Sequence, residues 1–100
     1  MQMMVFSTPR AGMEEEYNKW YEEVHIPDLL SIPGMKSCTR FRGQSVAGQP
    51  AEFAYCAVYE IDGDFDTIMR EMQARAADGR SQLSPAIDPA ATKVTVWEPF

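Results

Sequence analysis

Positive charge is scarce in this sequence. The chain has nine Lys and Arg residues against fifteen Asp and Glu residues, which gives a net charge of −6 over 100 residues. Proteins that bind nucleic acid gather Lys and Arg on one face, whereas the basic residues here are scattered along the chain. We therefore expect no nucleic-acid partner.

Long apolar runs are also missing. The first nine residues, MQMMVFSTP, contain too short an apolar run for a signal peptide. No stretch approaches the roughly 20 apolar residues that are needed to span a bilayer. We expect a protein that stays out of the membrane, in the cytoplasm.

Metal and cofactor motifs are the third absence. The chain has two cysteines, Cys38 and Cys56, and one histidine, His25, which are too few and too far apart for the usual metal-binding spacings. No glycine-rich loop of the nicotinamide, flavin or phosphate-binding kind is present. We expect no metal and no cofactor, and both cysteines are expected to be free, buried and unreactive.

What the sequence does contain is the pattern of one globular domain, which we expect to cover residues 1–100. Apolar periodicity predicts strands over residues 3–8, 35–42, 53–61 and 92–98, and helices over residues 12–31 and 65–77. This β-α-β-β-α-β order is typical of the ferredoxin-like α+β fold, a four-stranded antiparallel sheet with two helices on one face. The strands are apolar on both faces, so the second sheet face needs a cover, and the sheet of a partner subunit is the simplest one.

The first predicted helix carries the only histidine, near its end. Aromatic and aliphatic residues recur beside His25 at helical spacing: Tyr17, Trp20, Tyr21, Val24 and Leu29. Pro27 removes a backbone donor, so the helix is expected to kink or restart near Ile26. Asp28 is expected either to cap the short final turn or to orient the His25 ring through its second nitrogen.

Residues 17–34, YNKWYEEVHIPDLLSIPG, resemble the first-helix signature of the dimeric α+β barrel superfamily. More narrowly, they resemble the EthD-like proteins, in which a helix with an aromatic pair ends in His-x-Pro and is followed by Pro-Gly and a strand. The resemblance implies a homodimer whose two sheets pack face to face into a barrel, with a cleft between sheet and helices in each subunit. Relatives include aromatic polyketide cyclases of the tetracenomycin kind, dehydratases, decarboxylases, muconolactone-type isomerases and cofactor-free monooxygenases.

The resemblance also implies roles for particular residues. The histidine of His-x-Pro corresponds to His25. An arginine on the second strand, which some cyclases use to hold a substrate oxygen, corresponds to Arg40 or Arg42. A second histidine that some cyclases use has no counterpart, because His25 is the only one.

We expect the cleft to bind a small, flat, largely apolar or aromatic metabolite. Taken singly, each of the expected wall residues is more typical of a plain core position, and only as a set do they indicate a cavity: Trp20, Tyr21, Tyr55, Tyr59 and Trp97. His25 is expected to titrate near neutral pH and to transfer a proton to or from a phenol or enol; the alternative is a structural histidine, buried at the end of a core helix and bonded to a carbonyl. Arg40 or Arg42 would then stabilise the developing enolate or phenolate, and the alternative for either arginine is a solvated surface position.

Two classes of function follow. The first is a cofactor-free enzyme that acts by proton transfer on a small aromatic, polyketide-like or lactone metabolite, as a cyclase, isomerase, dehydratase or decarboxylase. The second is a non-catalytic binding or accessory protein for an apolar metabolite, with a cofactor-free monooxygenase as a third alternative. His25 together with a strand arginine favours the enzyme, and the lack of a second strong acid/base residue favours the binding protein.

Overall fold

The computed structural model describes residues 1–81 and 83–100. One antiparallel sheet of order β2-β3-β1-β4 is built from strands β1 (Gln2–Ser7), β2 (Met35–Arg42), β3 (Tyr55–Ile61) and β4 (Thr92–Trp97). The first helix has three consecutive parts, namely α1 (Glu14–Trp20), a π-helical turn (Tyr21–His25) and α2 (Ile26–Leu30). The second helix is α3 (Phe65–Ala77), and a 3₁₀ turn (Pro89–Ala91) precedes β4. The predicted ferredoxin-like α+β fold is confirmed.

The core lies between the helices and one face of the sheet. Alternate residues of β1 and β3 face the helices and are buried, among them Met3, Tyr55, Ala57 and Tyr59. The helices add buried side chains to the same cluster: Tyr17, Tyr21, Leu29 and Ile68. Both helices therefore cover the same face of the sheet, as predicted.

The opposite face of the sheet is open in the single chain. Phe6, Phe41 and Cys56 lie side by side there in the strand register, and the Phe53 ring packs on Phe6 with ring centroids 5.7 Å apart. A shallow cavity of about 430 Å³ opens on this face. Apolar side chains therefore occur on both sheet faces, as predicted, and on the open face Lys93 and Thr95 line the cavity beside them.

Trp97 lies on this open face. The prediction that it lines the cleft on the helix side is therefore wrong. In the β1–β4 register Val96 pairs with Met3, which faces the helices, whereas Trp97 pairs with Gln2. Because successive strand residues point to opposite faces, Trp97 projects away from the helices and is 56% exposed.

Pro27 does not end the first helix. At the end of the π-helical turn the Ile26 N–H bonds to the carbonyl of Tyr21, five residues back instead of four. Pro27 follows directly after this widened turn as the second residue of α2. The predicted restart near Ile26 is confirmed, and its form is a widened turn of the kind often found at functional positions.

The remaining predicted boundaries agree with the structure to within two residues. β2 and α3 have the predicted bounds, and the Asp64 side chain accepts a hydrogen bond from the Thr67 N–H at the start of α3. The first helix begins at Glu14 and not at residue 12, because Gly12 has a φ of +79° that is not helical. Within the described residues, none of the helices is both long enough and apolar enough to cross a bilayer.

Candidate functional site

A cavity of about 310 Å³ lies between the first helix and the sheet. One wall comes from the first helix and consists of Tyr17, Trp20, Tyr21 and His25. The facing wall comes from β1 and from the segment before β4, with Val5, Ser7, Ile87 and Pro89. The cavity is therefore lined mainly by aromatic and aliphatic side chains, with few polar groups.

The π-helical turn sets the position of His25 on this wall. Trp20 and His25 are five residues apart, which in a regular α-helix would place them about 140° apart around the axis. The wider turn brings both rings to one side, where they stack with centroids 4.4 Å apart and planes inclined by 20°. Tyr21 contacts the imidazole edge-on at 5.0 Å. Two aromatic rings thus fix the orientation of the His25 ring.

Burial changes the proton affinity of His25. It lowers the pKa of the imidazole from its ordinary value of 6.5 to about 4, and the nearby Asp28 carboxylate offsets part of this by favouring the charged form. The sequence predicted titration near neutral pH, and the structure corrects this, because a histidine under a cover of aromatic rings loses the hydration of its charged form. At pH 7 the imidazole is neutral.

Asp28 takes neither of its two expected roles. Its carboxylate accepts a hydrogen bond from Arg75 Nη1 at 3.0 Å and another from the Ser81 hydroxyl, so both oxygens are engaged away from the His25 ring. It caps no helix end, because α2 continues directly from the π-helical turn and has no free N-terminus there. Asp28 instead ties the first helix to α3 and to the segment that follows it.

A pair of buried hydroxyl groups at the cavity wall was not predicted. Ser7 on β1 and Tyr17 on α1 are hydrogen-bonded to each other through their side-chain oxygens, and both side chains line the cavity. The sequence does contain a signal for this pair. Ser7 follows Met3 and Val5 at strand spacing, so a polar side chain occupies an inward-facing position.

Arg40 lies outside the His25 cavity. Its guanidinium carbon is 4.5 Å from the centre of the Tyr21 ring and 5.3 Å from that of Tyr55, and its nitrogens donate to Glu22 at 3.1 Å and to Asn18 at 2.7 Å. Arg40 therefore packs on the outer side of the aromatic wall, in a separate groove. Its charge is balanced there by Glu22.

The other predicted ligand-binding residues are also placed apart from this cavity. Arg42 is exposed at the end of β2 and borders the Arg40 groove and the open-face cavity. The Tyr55 hydroxyl donates to the Glu14 carboxylate and accepts from Asn18. Tyr59 is fully buried, and its hydroxyl donates to that of Tyr21 at 3.1 Å. Of the predicted set, the structure brings together Trp20, Tyr21 and His25 in one cavity and leaves Arg40, Arg42, Tyr55 and Tyr59 outside it.

The two cysteines are free thiols on opposite faces of the sheet. Cys38 pairs in register with Tyr59, which faces the helices, and Cys56 pairs with Phe6 and Phe41 on the open face. Burial raises the pKa of both thiols. We expected both side chains to be buried, but the structure leaves both half-buried. Their raised pKa values agree with the expected low reactivity.

Solved structures of other proteins share this architecture. A protein from Arabidopsis thaliana superposes with a TM-score of 0.73 at 11% identity, covering 99% of this chain and 94% of that one. An EthD-like protein from Ralstonia eutropha superposes with a TM-score of 0.63 at 16% identity, covering 94% of this chain and 88% of that one. The chain has the fold of the EthD-like proteins.

An ethyl tert-butyl ether (EthD) family protein from Bacillus halodurans supports the same conclusion, with a TM-score of 0.64 at 16% identity over 100% of this chain and 99% of that one. No protein-family model and no curated protein matches the chain in sequence. Similarity at these identities shows the fold alone, so any activity has to be argued from the cavity.

Proposed function

We propose that this chain is a cofactor-free enzyme that binds a small aromatic, polyketide-like or lactone metabolite in the His25 cavity and moves a proton on it. Such a step occurs in cyclisation, isomerisation, dehydration and decarboxylation. The observation that carries the proposal is the position of the His25 imidazole, stacked on Trp20 and contacted edge-on by Tyr21 at the wall of an apolar cavity.

The cavity supports a flat, apolar ligand. Its volume of about 310 Å³ is at the lower end of the usual range for ligand pockets, which suits a ligand of one or two rings. Trp20 and Tyr21 supply aromatic surfaces against which a planar ligand gains stacking contacts. No Asp, Glu, Lys or Arg is found among the described residues that line the cavity, so a neutral ligand is favoured.

His25 is suited to accept a proton in this setting. At pH 7 its ring is already the free base, because its pKa is lowered to about 4 by burial. Its conjugate acid is unfavourable in the empty cavity, but an anion formed beside it would stabilise the imidazolium. The geometry therefore supports the removal of a proton whose loss leaves an enolate or phenolate next to the ring.

A non-catalytic binding protein for the same ligand class is the second candidate. The low pKa of His25 favours it, since a weak base removes protons poorly. The position of Arg40 favours it too, because the guanidinium lies outside the cavity.

Deuterium incorporation separates the two candidates. The ligand that co-purifies with the protein is identified by mass spectrometry and incubated with the protein in D₂O. The enzyme incorporates deuterium at the acidic position, and His25→Gln slows this by about 10²- to 10⁴-fold while ligand affinity stays within a few-fold. Tight binding without incorporation by the wild-type protein would instead establish the binding protein.

We also propose that two copies of the chain associate through their open sheet faces. Phe41 and Trp97, which are 54% and 56% exposed, lie on this face and would be covered by a partner's sheet. Light scattering at micromolar concentration should then give about twice the chain mass of 11.3 kDa. Phe41→Glu should shift the protein to monomer, and a wild-type monomer at that concentration would contradict the proposal.

A further inference from the structure

The hydroxyl pair of Ser7 and Tyr17 has hydrogen-bonding capacity that the described residues do not use. Ser7 is 4% exposed and Tyr17 is 2% exposed, and both line the His25 cavity. They come from different elements, β1 and α1, and are hydrogen-bonded to each other. Among residues 1–81 and 83–100 neither side-chain oxygen has a second partner.

The count of hydrogens decides what the pair can do. Two hydroxyl groups carry two hydrogens, and a single bond between them uses one. If Tyr17 donates to Ser7, the Ser7 hydrogen is left over, and if Ser7 donates to Tyr17, the Tyr17 hydrogen is left over. In either arrangement one donor hydrogen remains at a nearly fully buried position beside the cavity, where leaving a donor unsatisfied is costly.

We propose that the Ser7–Tyr17 pair is the oxygen-recognition site of the His25 cavity and donates a hydrogen bond to a carbonyl or enol oxygen of the ligand. This inference rests on the proposed function and narrows its substrate class. The ligand is a neutral aromatic ketone or lactone with a C–H group on the carbon next to its carbonyl, and not a hydrocarbon.

The pair and His25 line the same cavity, so a ligand bound there can contact both. The Tyr17 ring is 5.4 Å from the Tyr21 ring, which in turn contacts the His25 ring at 5.0 Å, so Tyr17 and His25 share Tyr21 as a common neighbour. When His25 takes a proton from the carbon next to the carbonyl, the C–H electron pair forms the enolate and its negative charge resides on the oxygen. The hydrogen bond from the pair strengthens as that charge develops, and the imidazolium returns the proton in a later step. Burial raises the pKa of Tyr17, which keeps its hydroxyl protonated as a donor.

Two probes of equal shape test the recognition of oxygen. They are 2-acetylnaphthalene and 2-isopropenylnaphthalene, which differ by a C=O in place of a C=CH₂ group. Equilibrium dialysis gives the ratio of their dissociation constants, so any general loss of affinity in a variant cancels. For the wild-type protein the ketone should bind about three- to tenfold more tightly than the alkene, the range expected for one hydrogen bond.

The double variant Ser7→Ala/Tyr17→Phe removes both hydroxyls, and it should abolish this preference. Replacing both members of a hydrogen-bonded pair by apolar groups of similar shape is close to neutral for stability, so we expect the variant to fold. Each single variant keeps one hydroxyl and should keep part of the preference. Ser84→Ala is the matched control, because it removes a buried serine hydroxyl that is not part of the described cavity lining, and it should leave the ratio unchanged.

The infrared carbonyl stretch of bound 2-acetylnaphthalene gives a second readout. It should lie at lower frequency in the wild-type protein than in the double variant, because a donated hydrogen bond weakens the C=O bond. Equal binding of the two probes by the wild-type protein, or a ketone preference that survives in the double variant, would overturn the inference while leaving the proposed aromatic ligand intact. Failure of both probes to bind the wild-type protein would count against that ligand class and against this inference with it.

Discussion

The depressed pKa of His25 can be measured directly, because the chain contains one histidine. The NMR signals of its imidazole therefore need no assignment by mutagenesis. We expect their titration midpoint near pH 4, well below the ordinary 6.5, because burial disfavours the charged ring. Addition of a ligand that becomes anionic in the cavity should raise the midpoint.

The same shift makes the stability of the fold depend on pH in a defined direction. As the pH falls below 6.5 the unfolded chain binds a proton at His25 while the folded chain does not, so stability is lost between about pH 6.5 and pH 4. Above pH 6.5 the ring is neutral in both states and contributes no pH dependence. A change in pKa from 6.5 to about 4 corresponds to about 3 kcal/mol, at about 1.4 kcal/mol per pKa unit.

The assay compares urea unfolding of the wild-type protein and of His25→Gln from pH 7.5 to pH 4. Carboxylates titrate in the same range in both proteins, so the difference between the two free energies of unfolding isolates the histidine. Relative to His25→Gln, the wild-type protein should lose about 3 kcal/mol between pH 7 and pH 4. Both are measured at one protein concentration, because association contributes to stability. A midpoint near 6.5, or a difference that does not change with pH, would show that the imidazole is solvated and that the cavity does not bury it.

Two further predictions concern the supports of the site. Gly34→Ala should destabilise the fold by about 2–3 kcal/mol in urea unfolding, because Gly34 has a φ of +98° and a Cβ there would lie 2.8 Å from Ile68 Cδ1. Gly12→Ala is the control, because Gly12 has a φ of +79° and an added Cβ would have no atom within 4 Å. It should lower the free energy of unfolding by only about 1 kcal/mol. Equal losses for the two variants would contradict the packing argument. Arg75→Met should lower the free energy of unfolding by about 1–3 kcal/mol, because Arg75 donates to the Asp28 side chain and carbonyl and to Ser31. A melting temperature within 1 °C of the wild-type value would show that these bonds contribute nothing.

Local sequence signals were sufficient to predict the order of the elements. β2 is delimited by Gly34 before it and by a glycine-containing polar loop after it, and α3 begins at Asp64, whose side chain caps it. In both elements the residues that mark the ends and the spacing of the apolar residues indicate the same bounds, and the predicted bounds were correct. At the start of β3 no residue marks the boundary as clearly, and the strand begins at Tyr55, two residues after the predicted start.

The composition of the cavity depended on contacts that the sequence does not reveal. Tyr59 and Tyr21 are both aromatic and inward-facing, but only their packing decides that Tyr21 meets the cavity while Tyr59 lies fully buried. The stacking of Trp20 on His25 required a π-helical turn, which the helical period does not predict. The lowered pKa of His25 follows from its burial in the folded chain, which the sequence alone does not reveal.

The distribution of charge around the cavity then limits what the cavity can bind. Arg40 is held outside by Glu22 and Asn18, and the Asp28 carboxylate is engaged by Arg75. At neutral pH the described lining is therefore uncharged, since His25 is neutral and Tyr17 is protonated. An anion entering this cavity would meet no fixed positive charge, and it would be stabilised only if His25 took up a proton at the same time. A ligand that enters neutral and ionises beside His25 avoids this penalty, because the proton it loses creates the positive charge that its anion needs.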